Sequence, residues 1–258
     1  MSAGEWLKDL LFPRRCPVCD RPVLPAGALI CEECAKTLHP VGRDTCMCCG
    51  KPVAGRQELC ADCAKRPHIF TAGTAVYTFR SCSGALYRFK YRGREEYADF
   101  FGESMARRLR VWQAEGPGAV RRRPPEALIA VPSSGDRVRR RGYDQSLLLA
   151  RAMSRRTGIP VLENVLLRTR STPPMRGMTA AERQKNLKKA FLVHGNSVES
   201  KSIMLIDDIY TTGATMDACA EQLRKAGSGP VFFMTLAIGE IPYVEPGQDP
   251  DDDASRDL

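Results

Sequence analysis

The chain has 258 residues, of which 43% are hydrophobic and 27% charged, and a formal charge of +9. This composition excludes an intrinsically disordered chain and leaves room for one large domain or a small one beside a medium one. The last fourteen residues hold six acids against Arg256, so the preceding 244 carry +14, a balance that favours nucleic acid or phosphorylated small molecules as partners.

Residues 1–12 read as a short amphipathic helix, with Trp6, Leu7, Leu10 and Leu11 on one stripe and Pro13 at its end. Lys8 and Asp9 interrupt its apolar run, so it lacks the core of a secretion signal. No apolar run reaches bilayer length, and the expected location is the cytoplasm, with no membrane insertion.

From Cys16 to Cys63 the sequence repeats itself. CPVCDRPV at 16–23 matches CMCCGKPV at 46–53, and CEECAK at 31–36 matches CADCAK at 60–65. Each copy holds two CxxC knuckles: Cys16 and Cys19 with Cys31 and Cys34, then Cys46 and Cys49 with Cys60 and Cys63. A CxxC turn aims two sulfurs at one cation, and two such turns complete the tetrahedral thiolate set that zinc prefers, so two structural zinc ions are expected. The repeat favours sequential sites, with an interleaved arrangement open and disulfides the alternative in an oxidising compartment. Cys48 is surplus, either a free thiol or a competitor for Cys49.

Beyond Pro67, Thr74 to Phe79 alternates as a strand does, and Ser83 can cap a short helix that stops at Gly93. Lys90, Tyr91 and Arg92 in that helix, with Arg139 and Arg140 further on, mix aromatic and basic residues as a single-stranded nucleic-acid surface does. The other reading packs the aromatics inward and leaves the basic residues to water. A longer amphipathic helix is expected over 95–113, and 114–125 reads as a surface loop.

Ala127 to Val131 is a buried strand leading into a glycine-punctuated loop, Pro132 to Gly142, that crowds Arg137, Arg139, Arg140 and Arg141. Such crowding is costly without an anion, although a solvated basic loop also fits. A helix over 145–156 follows. Residues 168–189 form a long polar segment of the kind that makes a lid, with a capping box at Thr179 and Glu182, between the buried runs 165–167 and 191–193.

The most informative run is IMLIDDIYTTGAT, 203–215. Four apolar residues end in two acids, then a small-residue turn with three hydroxyls opens a helix that Gly227 closes. A turn of this kind offers backbone N–H groups and hydroxyls to a phosphate, while paired carboxylates accept from sugar hydroxyls. A final strand, Val231 to Ile238, and an acidic tail complete the chain.

All thirteen positions of 203–215 fit the phosphoribosyl-diphosphate signature of type I phosphoribosyltransferases, and nearly all of 5–240 resembles the ComF family. That resemblance rests on LKDLLFPRRC, FKYRGR at 89–94, the VP and RRRGYDQSLLLAR track from 131 to 151, and LLRTR with ERQKNLKKAF from 166 to 191. It implies an α/β fold: a type I phosphoribosyltransferase-like parallel sheet flanked by helices over 67–242, preceded by a helix and double zinc ribbon over 1–66 and followed by a disordered tail over 243–258. By the resemblance, Asp207 and Asp208 hold the ribose hydroxyls, and Thr211, Thr212, Gly213, Ala214 and Thr215 hold the 5′-phosphate. Pro132, Ser133, Ser134, Arg141 and Gly142 belong to the pyrophosphate loop, and 168–189 is the catalytic hood. Ser133 and Ser134 stand where the family commonly has a longer motif containing His, and Pro174 or Met175 where its hood has Gln. The implied function is binding of phosphoribosyl diphosphate with magnesium, or of a nucleotide phosphate, in DNA uptake, with single-stranded DNA and a helicase-like competence protein as partners. The alternative is an active transferase of nucleotide metabolism, acceptor unknown, with Arg137, Arg139, Arg176, Arg183 and Lys185 neutralising the leaving pyrophosphate.

Overall fold

A computed structural model describes residues 13–25, 27–55, 57–169 and 190–239. The predicted helix over 1–12, most of the hood and the acidic tail lie outside these residues. At the centre stands a four-stranded sheet, all parallel, in the order β1 (Ala72–Thr78), β6 (Val231–Ile238), β5 (Ile203–Tyr210), β2 (Ala127–Ala130). Its strands are predominantly apolar because both faces are covered, as parallel sheets require, with the two acids confined to the last residues of β5.

The alternation of side chains along β5 and β6 separates two cores. Met204, Ile206, Phe232 and Met234 face the helices α3 (Phe79–Tyr91), α4 (Tyr97–Glu115) and α7 (Gln145–Thr157). Ile203, Leu205, Val231 and Phe233 face the opposite way, against α8 (Ala214–Lys225), the antiparallel pair β3 (Leu166–Arg168) and β4 (Phe191–Val193), and the second cysteine cluster. Phe232 and Phe233 are fully buried, each contributing roughly 1.5–3 kcal/mol by burial.

The cysteine-rich segment carries two short helices, α1 (Glu32–Ala35) and α2 (Ala61–Lys65), one per repeat. The copies share their backbone: Cys16 and Cys46 N–H groups bond to Arg21 and Lys51 carbonyls at 2.8 Å, and a residue of positive φ, Asp20 or Gly50, closes each first knuckle.

Several local expectations shift. The strand carrying the acids continues through them to Tyr210, because Asp207 pairs with Thr235 and Ile209 with Ala237 on β6; the β2 side ends at Ile206, leaving the acids at the carboxyl end of the sheet. Ser83 lies inside α3, whose N-cap is Thr78, and β1 starts two residues before the predicted strand. The stretch read as loop over 132–142 is largely a helix, α6 (Gly135–Arg141), between Ser134 as N-cap and Gly142 at φ +87°; its arginines leave it no apolar stripe to read. Likewise 114–125 contains α5 (Gly118–Arg122), folded over the buried Val120.

Candidate functional site

Asp207 and Asp208 sit half-buried near the end of β5. Asp207 Oδ1 accepts from Ser146 Oγ on α7 at 2.9 Å and from the Asp208 N–H at 2.8 Å, and Asp208 Oδ2 meets Lys90 Nζ at 2.6 Å. Burial, and then the neighbouring Asp208 charge, push the Asp207 carboxyl well above the usual carboxylate range, while Ser146 and Lys90 pull it back down.

Thr211, Thr212 and Gly213 form the turn between β5 and α8. Gly213 takes φ +80°, and a Cβ there would stand 2.7 Å from the Tyr210 hydroxyl and 3.0 Å from His68 Cε1, so only glycine fits. Among the described residues, no acceptor meets the N–H groups of Thr211, Thr212 and Gly213, and no partner meets the hydroxyls of Thr211, Thr212 and Thr215. Three consecutive open N–H groups, three open hydroxyls and a helix start concentrate hydrogen-bond donors on one turn.

The turn is braced from behind. Asp217, buried in the first turn of α8, accepts from Arg66 (2.7 Å), the Ile69 N–H (2.8 Å) and His68 Nδ1 (2.9 Å), all from the segment leaving the second ribbon. Burial alone would raise its carboxyl; His68, Ile69 and Arg66 outweigh that and hold it below the usual range. The Tyr210 ring stacks on Phe233 with centroids 4.7 Å apart, and burial, with Cys49 and Cys63 nearby, disfavours ionisation of its hydroxyl.

Arg168, at the start of the hood, stands with its guanidinium 5.5 Å from the Phe191 ring and within the electrostatic reach of Asp207 and Arg137. Ser133 N–H bonds to Asp144, which also caps α7, so the predicted pyrophosphate loop is tied to the helix that carries Ser146. Arg139 pairs with Asp136 on its own helix. Arg176, Arg183 and Lys185 lie outside the described residues.

The nucleic-acid candidates divide. Tyr91, Arg92 and Arg140 come together on the surface: the Tyr87 and Tyr91 rings are 5.3 Å apart, Arg92 lies 5.9 Å from the first, and Arg140 and Arg141 lie 6.0 and 4.7 Å from the second. Beside this strip a cleft of about 500 Å³ runs between Tyr87, Arg88, Arg92 and Arg94 on one side and Cys19 and Asp20 of the first ribbon on the other. Lys90 leaves the strip for Asp208. Sequence reasoning missed that pairing, along with Ser146, His68 and Asp217; RRRGYDQS and FKYRGR were visible as motifs, but nothing local joins either to the acids.

The eight predicted thiolate ligands form two sequential groups, Cys16, Cys19, Cys31 and Cys34, then Cys46, Cys49, Cys60 and Cys63, the sulfurs of each all within 4.8 Å of one another. Sulfur separations of 3.7 and 3.9 Å in the first group and 3.6 Å in the second match the edge of about 3.8 Å of a tetrahedron with ~2.3 Å zinc–sulfur bonds. They are far too long for disulfides, and all eleven cysteines are free. Each set fits a structural zinc ion. Cys48 stays outside both sets, packed against the core, its thiol raised by burial. Among the described residues, no other cluster of three or more histidine, cysteine or acidic side chains could hold a metal, and no helix is long and apolar enough to cross a membrane.

Comparison with known proteins places this framework. The double zinc ribbon domain family matches residues 7–64. Competence protein F of Haemophilus influenzae is 30% identical over 229 residues, spanning 88% of this chain and 97% of that protein. The chain belongs to the ComF family. Another similar protein, the DNA utilization protein YhgH of Escherichia coli K12, is 26% identical and spans 88% of this chain and 98% of that one. Among solved structures, the glutamine phosphoribosylpyrophosphate amidotransferase from B. subtilis overlaps 57% of this chain and 30% of that chain at 20% identity, with a TM-score of 0.38, too low a similarity to bear on function.

Proposed function

We propose that this ComF-family chain binds the 5′-phosphoribosyl group of phosphoribosyl diphosphate or of a nucleotide, and that it handles single-stranded DNA during uptake. The observation that carries the first part is the turn after β5, whose open N–H groups and hydroxyls follow directly on two carboxylates. Phosphate donors and sugar acceptors thus adjoin in the order that a ribose 5-phosphate presents them. Arg168 and Arg137 lie within electrostatic reach of each other, and Arg168 of Asp207, so positive charge is available near the acids for a diphosphate. Magnesium would enter with the diphosphate, held by its oxygens and water.

The second part is supported by the Tyr87, Tyr91, Arg92 and Arg140 strip, which offers stacking faces and cations side by side, and by relatives named for competence and DNA utilization. A helicase-like partner and a cytoplasmic setting belong to the same reading.

Calorimetric titration with phosphoribosyl diphosphate and magnesium tests the site. Asp207→Ala with Asp208→Ala should abolish the heat seen for the unaltered chain, and equal heats in both would reject it. For DNA, a labelled single strand should bind tightly at about 50 mM salt and lose affinity steeply by about 200 mM, and Arg92→Ala with Arg140→Ala should flatten that dependence by about one to two phosphate contacts. A salt dependence identical in the double variant would remove the strip from the interface.

A further inference from the structure

Lys90 lies between Phe89, which is fully buried, and Tyr91, which is exposed on the aromatic strip. Its ammonium crosses from α3 to the end of β5 and meets Asp208 Oδ2 at 2.6 Å, the two side chains only 15% and 17% exposed. On the neighbouring acid, Oδ1 is committed to Ser146 and to the Asp208 N–H. Each carboxylate therefore has one oxygen fixed by protein, and Asp207 Oδ2 and Asp208 Oδ1 have no hydrogen-bond partner among the described residues. One open oxygen on each of two adjacent acids suits two adjacent hydroxyls.

Two carboxylates this close and this buried repel, and a site left to itself would retain a proton. A protonated acid has lost part of its capacity to accept from a hydroxyl. We propose that Lys90 is a positioning residue of the sugar site, fixing the Asp208 carboxylate and drawing ionisation of the acid pair down toward neutral pH, so that both acids accept from a vicinal diol. The inference rests on the sugar-site reading above and adds a residue to it.

Three other titratable groups among the described residues face Asp207. On β5 there is Asp208 itself, on α8 the Cys219 thiol, which burial pushes well up and keeps neutral, and on β3 Arg168, which stays cationic at neutral pH and adds its field to that of Lys90. Ser146 contributes a hydrogen bond without charge. Lys90 differs from these in its direct ion pair with Asp208.

The test uses the full chain with zinc bound and measures affinity for phosphoribosyl diphosphate with magnesium, for ribose 5-phosphate and for 2-deoxyribose 5-phosphate from pH 6 to 9. In the unaltered chain, affinity for the two diol ligands should rise with pH as Asp207 ionises. Lys90→Gln should weaken both about tenfold at pH 7, recover part of the loss at pH 9, and leave the deoxy sugar less affected; a tenfold loss corresponds to about one unit of displacement in the acid pair. Lys90→Arg should restore most of the affinity. A Lys90→Gln profile superimposable on the unaltered one overturns the proposal, as does a loss of equal size at every pH and for every sugar, which would mark a merely structural residue. If the Asp207→Ala, Asp208→Ala variant binds phosphoribosyl diphosphate as well as the unaltered chain does, the sugar-site reading itself falls; if binding needs the acids but is indifferent to Lys90, only this inference does.

Discussion

The two ribbons carry the same four ligands on the same backbone and are used in opposite ways. The first has a small apolar cluster of its own, Cys16, Val23 and Cys34, touches the nearer main core through the partly buried Val18 and Ile30, and makes polar contacts to the body: Arg88 to the Val18 carbonyl, Arg94 and Tyr97 to Asp20, Arg14 to Asp99. The second contributes Cys46, Cys49, Cys60 and Cys63 to one of the two main cores, together with Leu205, Phe233 and α8. A single position of the repeat shows the divergence. Asp20 projects from its knuckle to make the polar contacts, whereas its counterpart Gly50 has nothing to project: a Cβ there would lie 2.8 Å from the Gly73 carbonyl oxygen, and the knuckle instead packs backbone to backbone, with the Gly73 N–H bonded to the Cys48 carbonyl at 2.7 Å. Duplication supplied two metal-fixed modules; substitution made one the rim of a surface cleft and the other a layer of the core.

That contrast breaks most sharply at the metal. A zinc site of this type contributes folding free energy directly, on the order of 10 kcal/mol in small modules. Cys49→Ser should therefore cost the chain its cooperative unfolding transition, because the face of the sheet behind Phe233 loses its cover. Cys19→Ser should release one zinc and leave the sheet folded, with a melting temperature lowered modestly. Metal analysis together with far-ultraviolet circular dichroism separates these outcomes, and equal damage from both would show that the ribbons are equivalent.

The anchoring acids sharpen the comparison. Asp217 is 4% exposed and holds three partners from the second ribbon's exit, so Asp217→Ala strands Arg66 and His68 and should cost roughly 3–5 kcal/mol in denaturant unfolding. Asp20 is 31% exposed, and solvent screening reduces the cost of Asp20→Ala to about 1–2 kcal/mol. Both carboxyls are held below their usual range, Asp20 because Tyr97 and Arg94 outweigh its burial. Their stabilisation is thus complete above the unfolded-state value near about 3.9 and is lost as pH falls through the lower folded values. Acid unfolding below about pH 4 should be shallower in Asp217→Asn than in the unaltered chain, and a slope unchanged by that substitution would remove Asp217 from the acid response.

How far this was legible in the sequence depends on the range of each interaction. The cysteine knuckles are local, so spacing alone predicted both zinc sets, and three-dimensional proximity was needed only to choose sequential over interleaved ligation. β6 was read to the residue because a strand buried on both faces is a nearly continuous apolar run, interrupted here only by Thr235. The acid pair and the turn were read from one continuous stretch. Asp217 could not be: it occupies a helix position that charge assigns to solvent, and its partners Arg66 and His68 arrive from the ribbon's exit. Lys90 was visible as a basic residue among aromatics, which suggested a surface role, yet helical rotation carries it off the strip defined by Tyr87 and Tyr91 and toward β5. The Asp20 and Gly50 difference was plain in the repeat and acquires meaning only from the approach of β1.

The smallest effect is also the most selective, because one tyrosine hydroxyl of the body lies beside each ribbon. Tyr97 donates to Asp20 of the first ribbon, and the Tyr210 hydroxyl lies close to the second cysteine set while flanking Gly213 of the turn after β5. Replacing either by phenylalanine removes one oxygen and leaves its ring packing in place, so both variants should lose about 1 kcal/mol of stability. Their effects on ligand affinity should differ. Tyr210→Phe removes an oxygen that flanks Gly213 and should weaken phosphoribosyl diphosphate binding a few-fold, while Tyr97→Phe, at the first residue of α4, should leave it unchanged. Calorimetry on the two variants under one set of conditions decides the matter: parallel losses of affinity would mean that stability alone propagates to the turn, and a loss confined to Tyr210→Phe would mean that the second ribbon shapes the turn directly.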